Sequence, residues 1–296
     1  MGASVPRQHH TNLPAGHLGY FAASDGFLTV YDKLNKKSRR QRPENVGTER
    51  DYNSTTTKEG AVDHVSMERF LSQFEGDITD LFKKLANREV LSALDRTRLA
   101  WYVGVTEGRN KVVRLKTAEF ASRIGKKQLE AQMRNRDQFL EALSEVAGRD
   151  LAEDFVDIEL GLDGIEIQAE INQNNHIINT LTICGEVVPL AEFSDWVFFH
   201  APDRSEYVIG DRPIVVIHDR QPTNFYERNM TGWQAPHVGR VFPLTKNILM
   251  YIRFGGRSCI HRDATSDFVG QMNHSTFRHA RSNVYGSSLS FLSDYL

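Results

Sequence analysis

Hydrophobic positions recur along this chain with two different periods, and the change of period divides it. Met67, Phe70, Leu71, Phe74, Ile78, Leu81, Phe82 and Leu85 follow one another at steps of three and four, with Glu68, Glu75, Asp77 and Asp80 between them. That spacing places one apolar stripe on a helix whose opposite face is wet, and it predicts a helix over residues 63–86. Acidic residues lead the stretch and Lys83-Lys84 close it, the order that complements a helix dipole. Leu99, Trp101 and Val103 predict a second helix over 92–106. Leu129, Met133, Leu140 and Leu143 predict a third over 128–146, and a fourth, less regular one falls within 167–190. Gly125 and Gly148 read as helix boundaries. Beyond Phe193 the pattern shortens. Trp196-Val197-Phe198-Phe199, Tyr207-Val208-Ile209, Ile214-Val215-Val216-Ile217 and Ile248-Leu249-Met250-Tyr251-Ile252 are β-branched or aromatic runs separated by Pro, Gly and Asp, which predicts strands. A last helix is expected over 265–280. The order of strands, a helical middle, strands and a final helix predicts an α+β fold. In it a helical block packs beside a mainly antiparallel sheet formed by N-terminal and C-terminal strands. No Pro/Gly/Ser linker interrupts the chain, so residues 1–296 are expected to form one domain.

Composition narrows the class. With 296 residues, 40% of them hydrophobic and 25% charged, the chain is outside the ranges of collagen, disordered polymers and pure coiled coils. Cys184 and Cys259 are too few for a disulfide framework and lack the paired spacing of a zinc site, so they read as packing residues in a reducing compartment. The N-terminal stretch has no apolar core of the signal-peptide kind, and no run approaches the roughly 18 apolar residues of a spanning helix. A soluble, cytoplasmic protein with no membrane partner is expected. The net charge of −2 is unevenly spread. From Asp32 to Arg42 the basic residues Lys33, Lys36, Lys37, Arg39, Arg40 and Arg42 face Asp32 alone, a local +5 that leaves −7 for everything else. Following the apolar run Phe27-Leu28-Thr29-Val30-Tyr31 and preceding Pro43, this segment reads as an exposed turn after a strand. Its first explanation is a solvated loop. Its alternative is a surface at which Lys36, Arg39 and Arg40 steer an anionic substrate such as a nucleic acid or another phosphate-containing ligand.

Several short segments carry more than composition. Gln8-His9-His10-Thr11-Asn12-Leu13-Pro14 opens the chain, followed by Leu18, Phe21-Ala22, Thr29-Val30-Tyr31-Asp32-Lys33, Pro43-Glu44-Asn45-Val46 and Asp51-Tyr52. Farther on come Tyr207-Val208-Ile209-Gly210-Asp211-Arg212-Pro213-Ile214, Phe242-Pro243-Leu244-Thr245, and Asn273 ahead of Ala280 to Tyr285. Their joint order resembles the DUF4238 proteins, a family of unknown function that opens on His-His-x-x-Pro and carries a later Phe-Ile-Thr-Ser-Asp-Asn-Pro-Val signature. The chain departs from that pattern in three places. One extra residue separates His10 from Pro14, Gly210 stands for a Ser, and Thr106-Glu107-Gly108-Arg109 stands where the family has a helical Gln-x-x-Arg. The resemblance implies site positions and little chemistry.

By residue type, His9 and His10 are the catalytic candidates, because imidazole exchanges protons near neutral pH. The alternative is a histidine pair satisfied by backbone or solvent. Asp211 could orient an imidazole, or could be a turn aspartate accepting backbone N–H bonds. Arg109 could grip a phosphate bidentately, or could complement the end of a helix. Asn273 offers a donor and an acceptor to a substrate, or serves as a buried structural amide. Together they could support phosphodiester hydrolysis of a nuclease-like kind, with imidazole as acid or base and arginine on the phosphoryl oxygens. The rival is a binding or regulatory module in which the His, Asp and Asn residues form a structural polar network. The sequence has no P-loop, Rossmann fingerprint, zincin motif, nucleophile elbow or EF-hand loop, and identifies no cofactor and no metal-ligand set. Gly255-Gly256-Arg257-Ser258 reads as a tight turn.

Overall fold

A computed structural model describes residues 9–11, 13–50, 52–57, 60–76, 78–133, 135–147 and 172–293. The chain forms two compact units, one of residues 1–113 with 173–296, the other of residues 114–172. In chain order the strands of the first unit are β1 (His9–Thr11), β2 (Leu28–Asp32), β3 (Lys37–Gln41), β4 (Thr48–Arg50), β5 (Thr55–Thr56), β6 (Val62–Asp63), β7 (Ser194–His200), β8 (Ile209–Gly210), β9 (Val215–His218), β10 (Val238–Thr245), β11 (Ile248–Phe254), β12 (Cys259–Asp263) and β13 (Asn283–Gly286). Its helices include α1 (Ala15–Gly19), α2 (Ser66–Glu75), α3 (Ile78–Ala86) and α4 (Ala93–Gly108). The second unit holds most of α5 (Lys111–Met133) and α6 (Arg136–Ala147). The first unit resumes with α7 (Gln173–Glu192), α8 (Phe225–Asn229), α9 (Ser266–His279) and α10 (Ser290–Ser293).

The fold is α+β, with helices in the middle and strands from both ends. A five-stranded sheet runs β12-β7-β11-β10-β9, and a four-stranded sheet runs β3-β2-β13-β8. All of their pairings are antiparallel except β12 with β7. β2 and β13, nearly the whole chain apart, lie side by side with Asn283 opposite Asp32 and Tyr285 opposite Val30. Alternation along β10 explains the layers. Phe242 and Leu244 join a core with Leu99, Tyr102 and Val103 of α4 and Val187 and Val188 of α7. Val241, on the other face, joins Val269 and Met272 of α9. Covered on both faces, β10 is buried at all eight positions.

Helix α4 begins with a capping box between Ser92 and Asp95, which satisfies two orphan N–H groups. It then packs on α7 through Gly104 and Gly108, one turn apart. A Cβ at Gly104 would lie 2.6 Å from Val188 Cγ2, and one at Gly108 would lie 2.6 Å from the Thr180 carbonyl oxygen. Glycine is what permits this approach. The thiol of Cys184 faces the same seam and donates to the Gly104 carbonyl at 3.3 Å; burial pushes it up to about 11. Both cysteines are free thiols.

Local structure departs from the sequence expectations at identifiable places. The stretch 63–86 is two helices, since α2 ends at Gly76, a residue of poor helix propensity, and α3 starts afresh at Ile78. The helix expected over 128–146 is divided between α5 and α6, with Asn135 between them in a bend. Gly125 lies inside α5, where a Cβ would meet nothing within 4 Å, so nothing there requires a boundary. Gly148 lies outside the described residues. The basic segment is half turn and half strand, because 37–41 pair with β2 as the exposed edge β3.

Candidate functional site

Asp211 follows β8 and faces the exit of α9. Its carboxylate accepts N–H bonds from Arg281 at 2.8 Å, Ser282 at 2.7 Å and Asn283 at 3.0 Å. Asn273, buried on α9, accepts from the Val208 N–H at 3.0 Å and donates to the Glu206 carbonyl at 2.8 Å. The two side chains therefore stitch segment 206–211 to α9 and to the turn that leaves it. Lys33 completes this junction by donating to the carbonyls of Phe277 and Ala280 at the end of the same helix. Cations are favoured at that end.

Arg109 caps the C-terminus of α4 and is buried, and its carbonyl accepts from the Tyr52 hydroxyl at 2.9 Å. Arg40 pairs with Asp25 at 2.5 Å, and Arg39 Nε donates to Gln41 at 3.1 Å. Lys36, in the turn, has a left-handed backbone and no ion pair among the described residues. His9 and His10 are backbone partners of Arg50 and Glu49 in the β1–β4 pair. The positions of their imidazoles lie outside what is described. The Gly255-Gly256 turn directs both of its N–H groups to the Phe193 carbonyl, so they are spent on the protein itself.

Three other charged residues, Glu107, Arg212 and Arg240, lie within one another's electrostatic reach. Arg240 sits on β10 two places before Phe242 and so on the same face, toward the helical block. It is 3% exposed, stacks on the Trp233 ring at 4.1 Å and donates Nη2 to the Thr231 carbonyl at 2.6 Å. Its Nε is buried with no hydrogen-bond partner. Glu107, in the last turn of α4, has a buried Oε2 that is likewise unpartnered. Arg212, directly after Asp211, is partly exposed and makes no ion pair among the described residues.

These groups act on one another without touching. Burial raises the Glu107 carboxyl above its ordinary range, while the guanidinium charges of Arg240 and Arg212 draw it back down. Burial lowers Arg240 to about 10, with Glu107 opposing the change and Arg212 adding to it, so Arg240 is cationic at neutral pH. No ion pair joins Glu107 to either arginine. Glu107 and Arg212 each keep some accessible surface, whereas Arg240 keeps almost none. Two forked guanidiniums and an uncommitted carboxyl suit a tetrahedral oxyanion, to which arginine binds bidentately and a neutral carboxyl can donate.

The elements carrying Glu107 and Arg240 are held by a polar contact in the core. His17 of α1 is 1% exposed, surrounded by Phe21, Phe82, Tyr102 and Phe242 with ring centroids 5.3–5.7 Å away. The Pro243 carbonyl, 3.2 Å from Nε2, can only accept, which assigns the proton to Nε2 and leaves Nδ1 to accept from the Tyr102 hydroxyl at 2.8 Å. One imidazole thus bonds α4 to β10, the elements that carry Glu107 and Arg240.

A sequence signal for this site existed. Arg240 is the lone charge in Val-Gly-Arg-Val-Phe-Pro-Leu-Thr, and Glu107 and Arg212 sit inside the two segments already singled out, where Arg109 and Asp211 drew attention instead. Among the described residues, no group of three or more His, Cys, Asp and Glu could hold a metal ion. No helix among them is long and apolar enough to cross a membrane. Comparison with curated proteins and with solved structures finds no match. The family model described as "Protein of unknown function (DUF4238)" matches residues 7–290, nearly the whole chain, and the protein belongs to that family.

Proposed function

We propose that this protein hydrolyses phosphate esters at the cluster of Glu107, Arg212 and Arg240. The observation that carries the reading is the unpartnered Glu107 carboxyl, buried near two guanidiniums that no ion pair ties to it. An unmade hydrogen bond at a buried polar atom costs ~1–3 kcal/mol, and a substrate oxygen would remove that cost. Arg212 and Arg240 would bind the phosphoryl oxygens and offset charge that grows as water attacks phosphorus. The bond from water oxygen to phosphorus forms as the bond to the leaving oxygen breaks. Neutral Glu107 passes its proton to that leaving oxygen and is reprotonated from solvent, which takes up the proton lost by the attacking water.

Bis(p-nitrophenyl) phosphate and p-nitrophenyl phosphate serve as test substrates. Glu107→Gln keeps the shape and removes the transferable proton, so kcat should fall ~10²–10⁴-fold with little change in KM. Wild-type kcat should fall as pH rises through the elevated Glu107 pKa. Arg240→Lys, which loses the fork but keeps the charge, should raise the inhibition constant for inorganic phosphate instead. Wild-type turnover that Glu107→Gln leaves intact removes the mechanism.

A second reading has its own support. The Asp211 carboxylate and the Asn273 amide are bonded to backbone groups, as a structural network requires. Under that reading the Glu107, Arg212 and Arg240 cluster binds a phosphate-containing ligand and releases it unchanged. Phosphate protection against thermal unfolding, lost in Arg240→Lys and unaccompanied by turnover of either ester, is its signature.

A further inference from the structure

A cavity of about 610 Å³ lies where β7 begins and β11 ends, within the ~300–1,000 Å³ usual for small-molecule sites. Its walls come from four places in the first unit: Pro189 and Leu190 near the end of α7, Phe193 in the joint to β7, Phe254 with the turn 255–257 at the exit of β11, and Gln234 ahead of β10. Bonds within the protein hold these walls in place. The Phe193 N–H donates to the Pro189 carbonyl at 3.0 Å, and the Phe193 carbonyl accepts from the N–H groups of Gly255 and Gly256. Gly255 has φ +107°, a backbone that suits glycine. Phe254 is opposite Ser194 in the β7–β11 pair. Arg96 donates to the carbonyls of Glu192, Ser194 and Arg257, which ties the α7–β7 joint to the turn across from it. Walls fixed in this way reduce the ordering that a ligand must impose.

The lining is hydrocarbon apart from the turn glycines, the Gln234 amide and one charge, Arg257, and no carboxylate belongs to it. Arg257 lies over the Phe193 ring, 4.2 Å from its centroid, and makes no ion pair and no side-chain hydrogen bond among the described residues. Stacking uses the face of a guanidinium and leaves its in-plane N–H edge to an anion. The acids that flank Phe193 are engaged elsewhere. Glu192 accepts from the Thr97 hydroxyl at 2.8 Å, and Asp195 Oδ1 accepts from the Ser258 N–H at 2.8 Å and its hydroxyl at 2.7 Å. The Asp195 carboxylate packs on Gly256, where the Ser258 bonds hold its pKa below the usual range and the Arg96 and Arg253 charges offset its own. The glycine N–H groups of the turn are spent on Phe193, so an anion in the cavity would meet side-chain donors: the Arg257 edge and the Gln234 amide.

We propose that this cavity binds a small planar aromatic carboxylate, its rings against Leu190, Phe193 and Phe254 and its carboxylate on the free edge of Arg257. Two phenylalanines in one lining favour an aromatic body, because offset and edge-to-face ring contacts add to the gain from buried area. A single guanidinium without a counter-ion favours one carboxylate, which its fork meets bidentately. A bare phosphate would leave the apolar walls unused. None of Glu107, Arg212 and Arg240 lines the cavity, so the site stands apart from the phosphate-ester reading above.

Isothermal titration calorimetry of the full-length protein with 2-naphthoate, its neutral analogue 2-naphthamide and the aliphatic dodecanoate tests the site. 2-Naphthoate should bind with a dissociation constant of ~1 mM or tighter, and 2-naphthamide about tenfold more weakly. Arg257→Gln should weaken 2-naphthoate about tenfold and leave 2-naphthamide unchanged. Gln234→Trp, which fills the cavity from an exposed position, should weaken both, and circular dichroism melts check that each variant folds. Phe225→Ser/Tyr226→Ser removes exposed aromatic surface on α8, outside the cavity, and should bind like wild type. No binding of 2-naphthoate, equal binding of the amide, tighter binding of dodecanoate, full affinity in Arg257→Gln or Gln234→Trp, or loss in the α8 variant would each overturn the proposal. Displacement of 2-naphthoate by inorganic phosphate would also overturn it, by moving the ligand to the Glu107 cluster. Arg257-dependent binding of 2-naphthoate without cleavage of either nitrophenyl ester would uphold the cavity and remove the hydrolase reading; ester hydrolysis abolished in Glu107→Gln, with no binding of 2-naphthoate, would do the reverse.

Discussion

His17→Phe tests whether the core contact between α4 and β10 behaves as its geometry requires. Phenylalanine keeps a ring in the box of Phe21, Phe82, Tyr102 and Phe242 but removes both hydrogen bonds and the titration. Burial lowers the His17 pKa from 6.5 to about 4, outweighing the Pro243 and Leu244 carbonyls, which favour the protonated ring. In the unfolded chain the imidazole binds a proton below its ordinary value, while in the folded protein it does not until near 4. The associated stability is therefore complete above pH 6.5, declines as pH falls toward 4 and is constant below. At ~1.4 kcal/mol per tenfold difference in proton affinity, the whole window corresponds to ~3 kcal/mol.

His200 is also lowered to about 4, first by burial, so the wild-type curve alone would mix two histidines. The difference between wild type and His17→Phe isolates one of them. Urea unfolding followed by tryptophan fluorescence suits the measurement, because Trp101, Trp196 and Trp233 all lie in the unit that contains His17. At pH 7 the variant should be less stable by ~1–3 kcal/mol, the cost of spoiling a buried hydrogen-bonded site. Near pH 4.5 wild type should have lost about 2 kcal/mol more than the variant, so that the gap closes or changes sign. A gap constant from pH 7 to about 4.5 would mean that the imidazole is protonated in the core or reachable by water, and the assignment of Nε2–H would fall with it.

Two further outcomes follow from the same kind of accounting. Asp211→Asn turns one acceptor oxygen into a donor before three backbone N–H groups, so thermal melting should show a loss of ~1–3 kcal/mol; an unchanged melting temperature would show that the carboxylate does not hold the exit of α9. Gly108→Ala should destabilise by ~1–3 kcal/mol despite alanine's better helix propensity, because the Thr180 carbonyl 2.6 Å away is backbone and cannot swing aside, whereas Gly125→Ala, with open space around it, should stabilise by ~0.4–1 kcal/mol; equal effects on urea unfolding would remove the α4–α7 close-approach argument.

The sequence made some elements legible because their burial is one-sided. Met67, Leu71, Ile78, Leu81 and Leu85 write a period near 3.6 since the helices carrying them meet water on the other face, and only the break at Gly76 escaped the pattern. Strand β10 was missed for the opposite reason. Packed on both faces, it shows no alternation, and Pro243 in its interior argues against a strand unless the register is irregular there, as the shift between Pro243 and Thr245 makes it.

The cluster of Glu107, Arg212 and Arg240 is illegible in the sequence for a related reason. Charge in a chain attracts attention where it is dense, and the densest segment, 32–42, is mostly exposed. A charge matters most to chemistry where it is scarce and desolvated, since electrostatic interactions strengthen as water is excluded. Arg240 meets that description only once β10 is known to be buried, Trp233 is known to cover it, and the last turn of α4 is known to bring Glu107 within its field. Residue type and spacing could nominate Asp211 and Asn273, but they could not reveal that backbone groups occupy both side chains. An unspent side chain is a property of tertiary structure, and that property separates the Glu107 Oε2 from the fully bonded Asp211 carboxylate and Asn273 amide.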